Sequence, residues 1–215
     1  MPPRKPKDTS CIIVLVRHGK TATTGTILPG RAPGLHLSEV GRGQAEAVAA
    51  RLCGLSRPPA AVYASPLERA QETAAPIAKA LRLRVRTASD LIECDFGEWT
   101  GKRLSALRRR PEWRSVISAP STFRFPKGES FSEMQTRAWG SVIDLGARHP
   151  GQTVVAVSHA DPIKAVVATA LGVPLDLFQR TAISTCSVSA IVVGAGSPFV
   201  LCVNSLGDLA ELAPS

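Results

Sequence analysis

Short, wholly apolar runs recur along this chain, and helix-start signals rather than tight turns stand between them. That alternation limits the fold more than any other feature of the sequence. Ile12-Ile13-Val14-Leu15-Val16 reads as a buried strand. A Gly/Thr/Pro-rich loop follows from Gly19 to about Leu37. Ser38 then caps a helix to about Leu52, with Gly54 just past its end. Ala61 to Ala64 is a second short strand. Ser65-Pro66-Leu67-Glu68 combines a Ser cap, a first-turn proline and a Glu three residues on, opening a helix to about Leu81 with a kink near Pro76. The alternation from Leu81 to Arg86 reads as the helix end and a strand with its arginines outward. Residues 101–127 are irregular, with one short basic helix.

Ser130-x-x-Glu133 is a capping box for a helix to about Ala147, and Thr153 to Val157 is a strand. Asp161-Pro162 reads as a cap with a first-turn proline for a helix to Leu171. Late strands near Cys186–Val193 and Phe199–Val203 close the list. The predicted fold class is α/β: a three-layer α/β/α sandwich whose mainly parallel central sheet is covered on both faces.

Composition sets the outer limits. A chain of 215 residues suits one domain with a small lid rather than two domains. We therefore expect a disordered basic tail over residues 1–10 and a single domain over 11–215, with a lid around 101–128. The early apolar run from Cys11 to Val16 is too short to cross a bilayer or to act as a signal peptide. The five cysteines (Cys11, Cys53, Cys94, Cys186 and Cys202) include no Cys-x-x-Cys, so they read as free thiols in a reducing compartment. A soluble, cytoplasmic protein without a membrane partner is expected. The net charge of +9 favours anionic partners without choosing among them.

Two predicted strands end in histidine: Arg17-His18-Gly19 after the first, and Ser158-His159 after Thr153 to Val157. In open α/β sheets ligands bind beyond the carboxyl ends of strands, so neighbouring strands would aim both imidazoles into one crevice. Taken singly, either His reads equally well as a satisfied structural residue. Arg17 precedes the first His, and Arg69 lies on the first turn of the helix opened by Ser65, where the helix dipole favours anions. Arginine grips phosphate through paired planar hydrogen bonds, so two Arg beside two His make a dianion pocket. Glu93 sits in an acidic, Gly-flanked loop running to Gly101, where an acid near phosphate could protonate a leaving alcohol.

Together these segments resemble the motifs of the histidine phosphatase superfamily, the phosphoglycerate mutase-like proteins. Arg17-His18-Gly19 resembles the first motif, Ser65 to Ala74 the second, Glu93 to Gly101 the third, Gly128-Glu129-Ser130 the Gly-Glu-Ser segment and Val157-Ser158-His159 the last. The match is in order over residues 11–203, with the nearest look to small actinobacterial-type members. The resemblance implies a phosphoglycerate mutase-like fold. His18 is then the nucleophile, and Arg17, Arg69 and His159 grip the phosphoryl oxygens. Glu93 becomes the acid that protonates the leaving group and then activates water. It also places Thr24 and Ala160 against the substrate, where the family has Asn and Gly, and it implies neither metal nor cofactor. Lys20 stands where Glu is frequent. The departures remove no core catalytic residue, so activity is expected with altered specificity or rate.

Asp161 reads as a helix cap in preference to a proton donor. The basic stretch from Lys102 to Arg114 reads as a solvated face, with a lid that attracts anions as the alternative. Trp113, Phe123 and Phe125 either pack that lid onto the body or line the pocket mouth, and His36 and His149 read as structural or exposed. The expected function is a metal-independent phosphomonoesterase acting through a phosphohistidine on a small phosphorylated metabolite. A 2,3-bisphosphoglycerate-dependent mutase ranks below it, because mutases usually carry a longer insertion than the segment between Gly101 and Gly128. A non-catalytic phospho-ligand or nucleic-acid-binding protein ranks lower still, since aromatics are only 5% of the chain and no recognition motif stands out. No nucleic-acid partner is therefore expected. The apolar C-terminal strands are either core or an edge that could pair in a homodimer.

Overall fold

The computed structural model describes residues 9–207. Most of the basic tail read over residues 1–10 therefore lies outside the described residues.

Six strands form one sheet: β1 Cys11–Arg17, β2 Ala61–Ala64, β3 Val85–Thr87, β4 Thr153–Ser158, β5 Val188–Val193 and β6 Phe199–Ser205. Their spatial order is β3-β2-β4-β1-β5-β6. The β3-β2, β2-β4 and β4-β1 pairings are parallel, and β5 and β6 join antiparallel. The predicted sandwich with a mainly parallel sheet is what forms. β1 lies between β4 and β5, and helices cover both its faces, which accounts for its unbroken apolar run.

Period-two geometry divides β1 between two cores. Ile12, Val14 and Val16 pack with Ala45, Val48 and Leu52 of helix α1 (Glu39–Cys53) and with Ala70, Ala74 and Ile77 of α2 (Glu68–Ala80). Cys11, Ile13 and Leu15 pack on the other face with Val142 and Leu145 of α5 (Phe131–Arg148) and Ile163 and Val167 of α6 (Ala160–Ala170). A third cluster, around Trp99, Phe125, Phe131 and Phe178, lies under the segment holding α3 (Leu104–Leu107) and α4 (Trp113–Ser118).

Local signals hold where nothing competes for the capping side chain. Ser38 accepts from the Gly41 amide. Ser130 accepts from the Glu133 amide while Glu133 accepts from the Ser130 amide, completing the capping box. Two other predicted starts need correction. Leu67, without a side-chain cap, begins α2, and Pro76 sits inside that helix. His159 occupies the cap position of α6, so Asp161 is not a cap but lies within the first turn.

The predicted strand from Leu81 shrinks to Val85–Thr87, because Arg82 turns the chain with φ at 56° and sends Leu83 and Val85 onto the core. Cys186, with φ at 54°, likewise precedes β5 instead of opening it. The basic segment holds two short helices, not one. Its aromatic residues do both things expected of them. Trp113 stacks on Trp99 at 6.2 Å, with Phe123 and Phe125 at 5.5 and 5.4 Å from the same ring. Trp113 and Phe125 also line a cavity described below.

The late strands separate into an interior β5 and an edge β6 whose side chains are half-exposed. All five cysteines are free thiols. Among the described residues no helix is long and apolar enough to cross a membrane.

Candidate active site

Adjacent parallel strands β1 and β4 are in register through Arg17 and Ser158, so the residues that follow leave the sheet together. The His18 amide donates to the Ser158 carbonyl at 2.9 Å. The two imidazoles lie with centroids 5.1 Å apart. The crevice expected from the sequence is therefore present.

His18 is buried, and its Nδ1 is 2.8 Å from the Gly19 carbonyl oxygen. A carbonyl only accepts, so Nδ1 carries the proton and the Nε2 lone pair is free. Burial, followed by the positive field of Arg69 and Arg17, holds the ring neutral, with a pKa of about 3 despite the opposing bond to Gly19. His159 is fully buried, with Nε2 2.8 Å from Ser65 Oγ and Nδ1 without a partner. Burial first, then His18 and Arg69, keep its pKa well below the usual imidazole range.

Arg69 is fully buried at the start of α2. Its Nη2 donates to the Gly30 carbonyl at 2.8 Å, whereas Nε and Nη1 have no acceptor. Arg17 donates from Nη1 to the Ile183 carbonyl at 2.7 Å and leaves Nε unpaired. Unpaired buried donors on two cations are costly without an anion to receive them. Both guanidinium pKa values are lowered, chiefly by burial.

Glu93 is buried, and its Oε1 accepts from the Cys94 amide at 2.9 Å. Burial and then the Asp161 charge raise its pKa to about 7, against the pull of Arg69, the Cys94 amide and Arg17. Around neutrality the carboxyl is therefore part acid and part base.

Arg17 and Glu93 open onto a cavity of about 450 Å³ that suits a small organic ligand. One wall is apolar: Leu28, Leu104, Trp113, Val116 and Ile117. The other carries Asp161, Lys164 and Gln179. Lys164 Nζ is 3.4 Å from Asp161 Oδ1 and 2.8 Å from Gln179 Oε1. A larger groove of about 990 Å³ beside α5 and α6 shares no lining residue with it.

A family profile described as the histidine phosphatase superfamily (branch 1) matches residues 13–206. The chain belongs to the histidine phosphatase superfamily. It is 34% identical over 204 residues to phosphoserine phosphatase 1 of Hydrogenobacter thermophilus, covering 93% of this chain and 94% of that one. It is 35% identical over 210 residues to the bifunctional protein Rv2228c of Mycobacterium tuberculosis, covering 94% of this chain but only 56% of that longer one. The solved structure of a mycobacterial glucosyl-3-phosphoglycerate phosphatase superposes with a TM-score of 0.80 at 27% identity, covering 91% of this chain and 99% of that one. Family and relatives make this histidine phosphatase a phosphoric monoester hydrolase.

Two of the three positions where this histidine phosphatase departs from the family pattern are at the cavity. Thr24 and Ala160 both line it. The Thr24 hydroxyl already accepts from the Thr21 amide at 2.9 Å. Lys20 is exposed, and its amide donates to Gln44. His36 pairs at the surface with Glu72, and His149 sits between Tyr63 and Gln152, so both are structural as expected. Sequence reasoning missed three groups. The Ser65 hydroxyl meets His159 at 2.8 Å besides accepting from the Leu67 amide at 3.4 Å, and Lys164 and Gln179 share the cavity wall with Asp161. The Asp161-x-x-Lys164 spacing was the one available signal for that wall, since residues three apart on a helix are neighbours.

Proposed function

We propose that the chain hydrolyses small phosphate monoesters through a phosphohistidine on His18. The observation that carries this reading is the pairing of an imidazole whose free lone pair is Nε2 with two arginines whose buried donors no atom of the described residues accepts. A phosphoryl group supplies the missing acceptors. His18 Nε2 attacks phosphorus as the bond to the alcohol oxygen breaks. Arg17, Arg69 and His159 disperse the charge on the three other oxygens. Positive charge developing on the imidazole strengthens the Nδ1–H bond to the Gly19 carbonyl.

Glu93, protonated, gives its proton to the departing alcohol oxygen. As a carboxylate it then takes a proton from water, which attacks phosphorus, breaks the P–N bond and releases inorganic phosphate with His18 neutral again. Thr24 and Ala160 border the alcohol part of the substrate. The segment 101–128 acts as the lid, since Leu104, Trp113, Val116 and Ile117 form the apolar wall. Lys164, and Arg108 at the cavity edge, favour an alcohol that carries an acidic group. Phosphoserine and glucosyl-3-phosphoglycerate, named for the relatives, are the first compounds to try. The free thiols suit the reducing cytoplasm.

The test is hydrolysis of p-nitrophenyl phosphate with chelator present, alongside acid-labile labelling by radioactive phosphate ester. Turnover and label in the parent protein, both abolished in His18→Ala, are the expected result. Undiminished turnover in His18→Ala overturns the reading.

A further inference from the structure

We propose that Glu129 is a positioning residue for the general acid: through Arg31 and Arg137 it fixes the backbone of Glu93, and so the place of the Glu93 carboxyl against the leaving oxygen. The inference rests on the role given to Glu93 above.

Two arginines from distant parts of the chain converge on one carbonyl. Arg31 Nε donates to the Glu93 oxygen at 2.8 Å and Arg137 Nη2 donates to the same oxygen at 3.0 Å. Arg137 also donates from Nη1 to the carbonyls of Asp90 and Ile92 at 2.8 and 2.7 Å, so it spans the whole approach to the acid.

Both guanidinium groups are held in turn by Glu129. Its Oε1 accepts from Arg137 Nε at 2.7 Å. Its Oε2 accepts from Arg137 Nη2 at 2.9 Å and from Arg31 Nη2 at 3.0 Å. The same oxygen takes the Asp95 amide at 3.2 Å, two residues beyond Glu93. The Glu129 side chain is only 12% exposed, so these charge-assisted bonds are little screened by water.

The arrangement is more than a staple for the fold. Arg31 follows Gly30, whose carbonyl holds Arg69. Glu129 therefore ties the loop that carries the acid to the loop that orients a phosphate-binding arginine. An acid must sit within hydrogen-bond reach of the atom it protonates, and a displacement of about 1 Å can cost on the order of a hundredfold. No amide can replace Glu129 without conflict. Either orientation of Gln aims an NH2 at donors that a carboxylate oxygen now accepts.

The reading predicts a defect that depends on the leaving group. p-Nitrophenolate leaves without much help from an acid, whereas the alkoxide of glycerol 2-phosphate needs the proton. We expect Glu129→Gln to lower kcat/KM, which reports phosphoryl transfer from the ester and not the shared hydrolysis of the phosphohistidine, about tenfold more on glycerol 2-phosphate than on p-nitrophenyl phosphate, within the range that general acids contribute. Inhibition by inorganic phosphate, which follows the arginine and histidine cradle including Arg69, should change less than kcat/KM on glycerol 2-phosphate does. Glu129→Asp should recover part of the loss. Arg31→Lys is the milder second variant, since this residue is one-third exposed and keeps its charge but cannot make both bonds. It should show the same selective loss in a folded protein.

Equal losses of kcat/KM on both substrates in the folded variants, or no loss at all, overturn the proposal. Glu93→Gln is measured in parallel. If it shows no dependence on the leaving group, the acid assignment itself fails and the positioning role falls with it. If it shows that dependence while the Glu129 and Arg31 variants do not, only the positioning role is overturned.

Discussion

Asp161 and Glu93 face the same cavity from different elements, one from the first turn of α6 and the other from the loop after Leu91. After burial, the Asp161 charge is the second contribution holding the Glu93 proton on, while Arg69 and Arg17 pull the other way. Lys164 tethers Asp161 from one turn further along the helix. The acid is thus tuned by a neighbour that need not touch the substrate.

Removing that charge has a predictable effect. In Asp161→Asn the Glu93 pKa falls from about 7, so the basic limb of the kcat/KM profile moves to lower pH. Turnover near pH 5 should stay within about threefold of the parent, because the acid is still protonated there. Profiles of both proteins on one substrate cancel the titration of the phosphate ester itself. A basic limb that stays in place, or a loss that is uniform across pH, contradicts the tuning role.

Glu93 also affects stability. Its folded pKa of about 7 lies above the ordinary 4.5, so the folded state binds the proton more tightly than the unfolded state does. The stabilising contribution is complete below about pH 4.5 and is lost as pH rises through about 7. Glu93→Gln keeps an acceptor for the Cys94 amide and cannot ionise. We therefore expect an almost inactive protein that melts roughly 2 °C or more above the parent at pH 8, with the difference gone at pH 4. His18 works in the other direction. Its pKa of about 3 erodes stability as pH falls below 6.5, equally in both proteins. Thermal melts at the two pH values decide the matter, and equal differences at both would refute it.

A pair of glycines on α1 gives a sharper contrast. A Cβ added at Gly41 would lie 2.0 Å from the Lys20 carbonyl oxygen, and one at Gly19 would lie 2.6 Å from the Gly41 carbonyl oxygen. The helix start and the loop after His18 are therefore in backbone contact. Gly41→Ala must push that loop away, at a cost of about 1–3 kcal/mol together with lost turnover. Gly43→Ala, two residues along, meets nothing within 4 Å and should stabilise by roughly 0.5–1 kcal/mol with activity intact. Denaturant midpoints and p-nitrophenyl phosphate turnover for the two variants make the comparison. Similar behaviour in both would remove the contact from the account.

Much of this arrangement is legible in the sequence, and what was missed around the site comes mostly from contacts that close at long range. Apolar runs and the box at Ser130 are local, and they held. Ser65 and Asp161 carry the same cap-like chemistry, yet the Ser65 hydroxyl meets His159 from far along the chain, and Asp161 lies past the cap position, beside Lys164 on its own helix. Nothing local distinguishes a hydroxyl that caps a helix from one that holds an imidazole. The adjacency of β1 and β4 was a condition in the sequence reading, since strand pairing at long range leaves no local mark. The arginine pair on the Glu93 carbonyl was invisible for the same reason, because Arg31 and Arg137 meet only in three dimensions.

The place of β1 in the sheet bears on how the chain is made. Of the six strands described, the first to be synthesised ends up inside the sheet, and both its neighbours follow only after α5: Ile12 pairs with Thr153 on one side and Val192 on the other. Until they are synthesised, a run of apolar residues with open hydrogen-bonding edges on both sides has no native partner. Such long-range closure is slow, and it leaves the nascent chain exposed to aggregation. His18, directly behind that strand, can meet His159 only once β4 has docked, so the two imidazoles of the site come together only after that long-range closure.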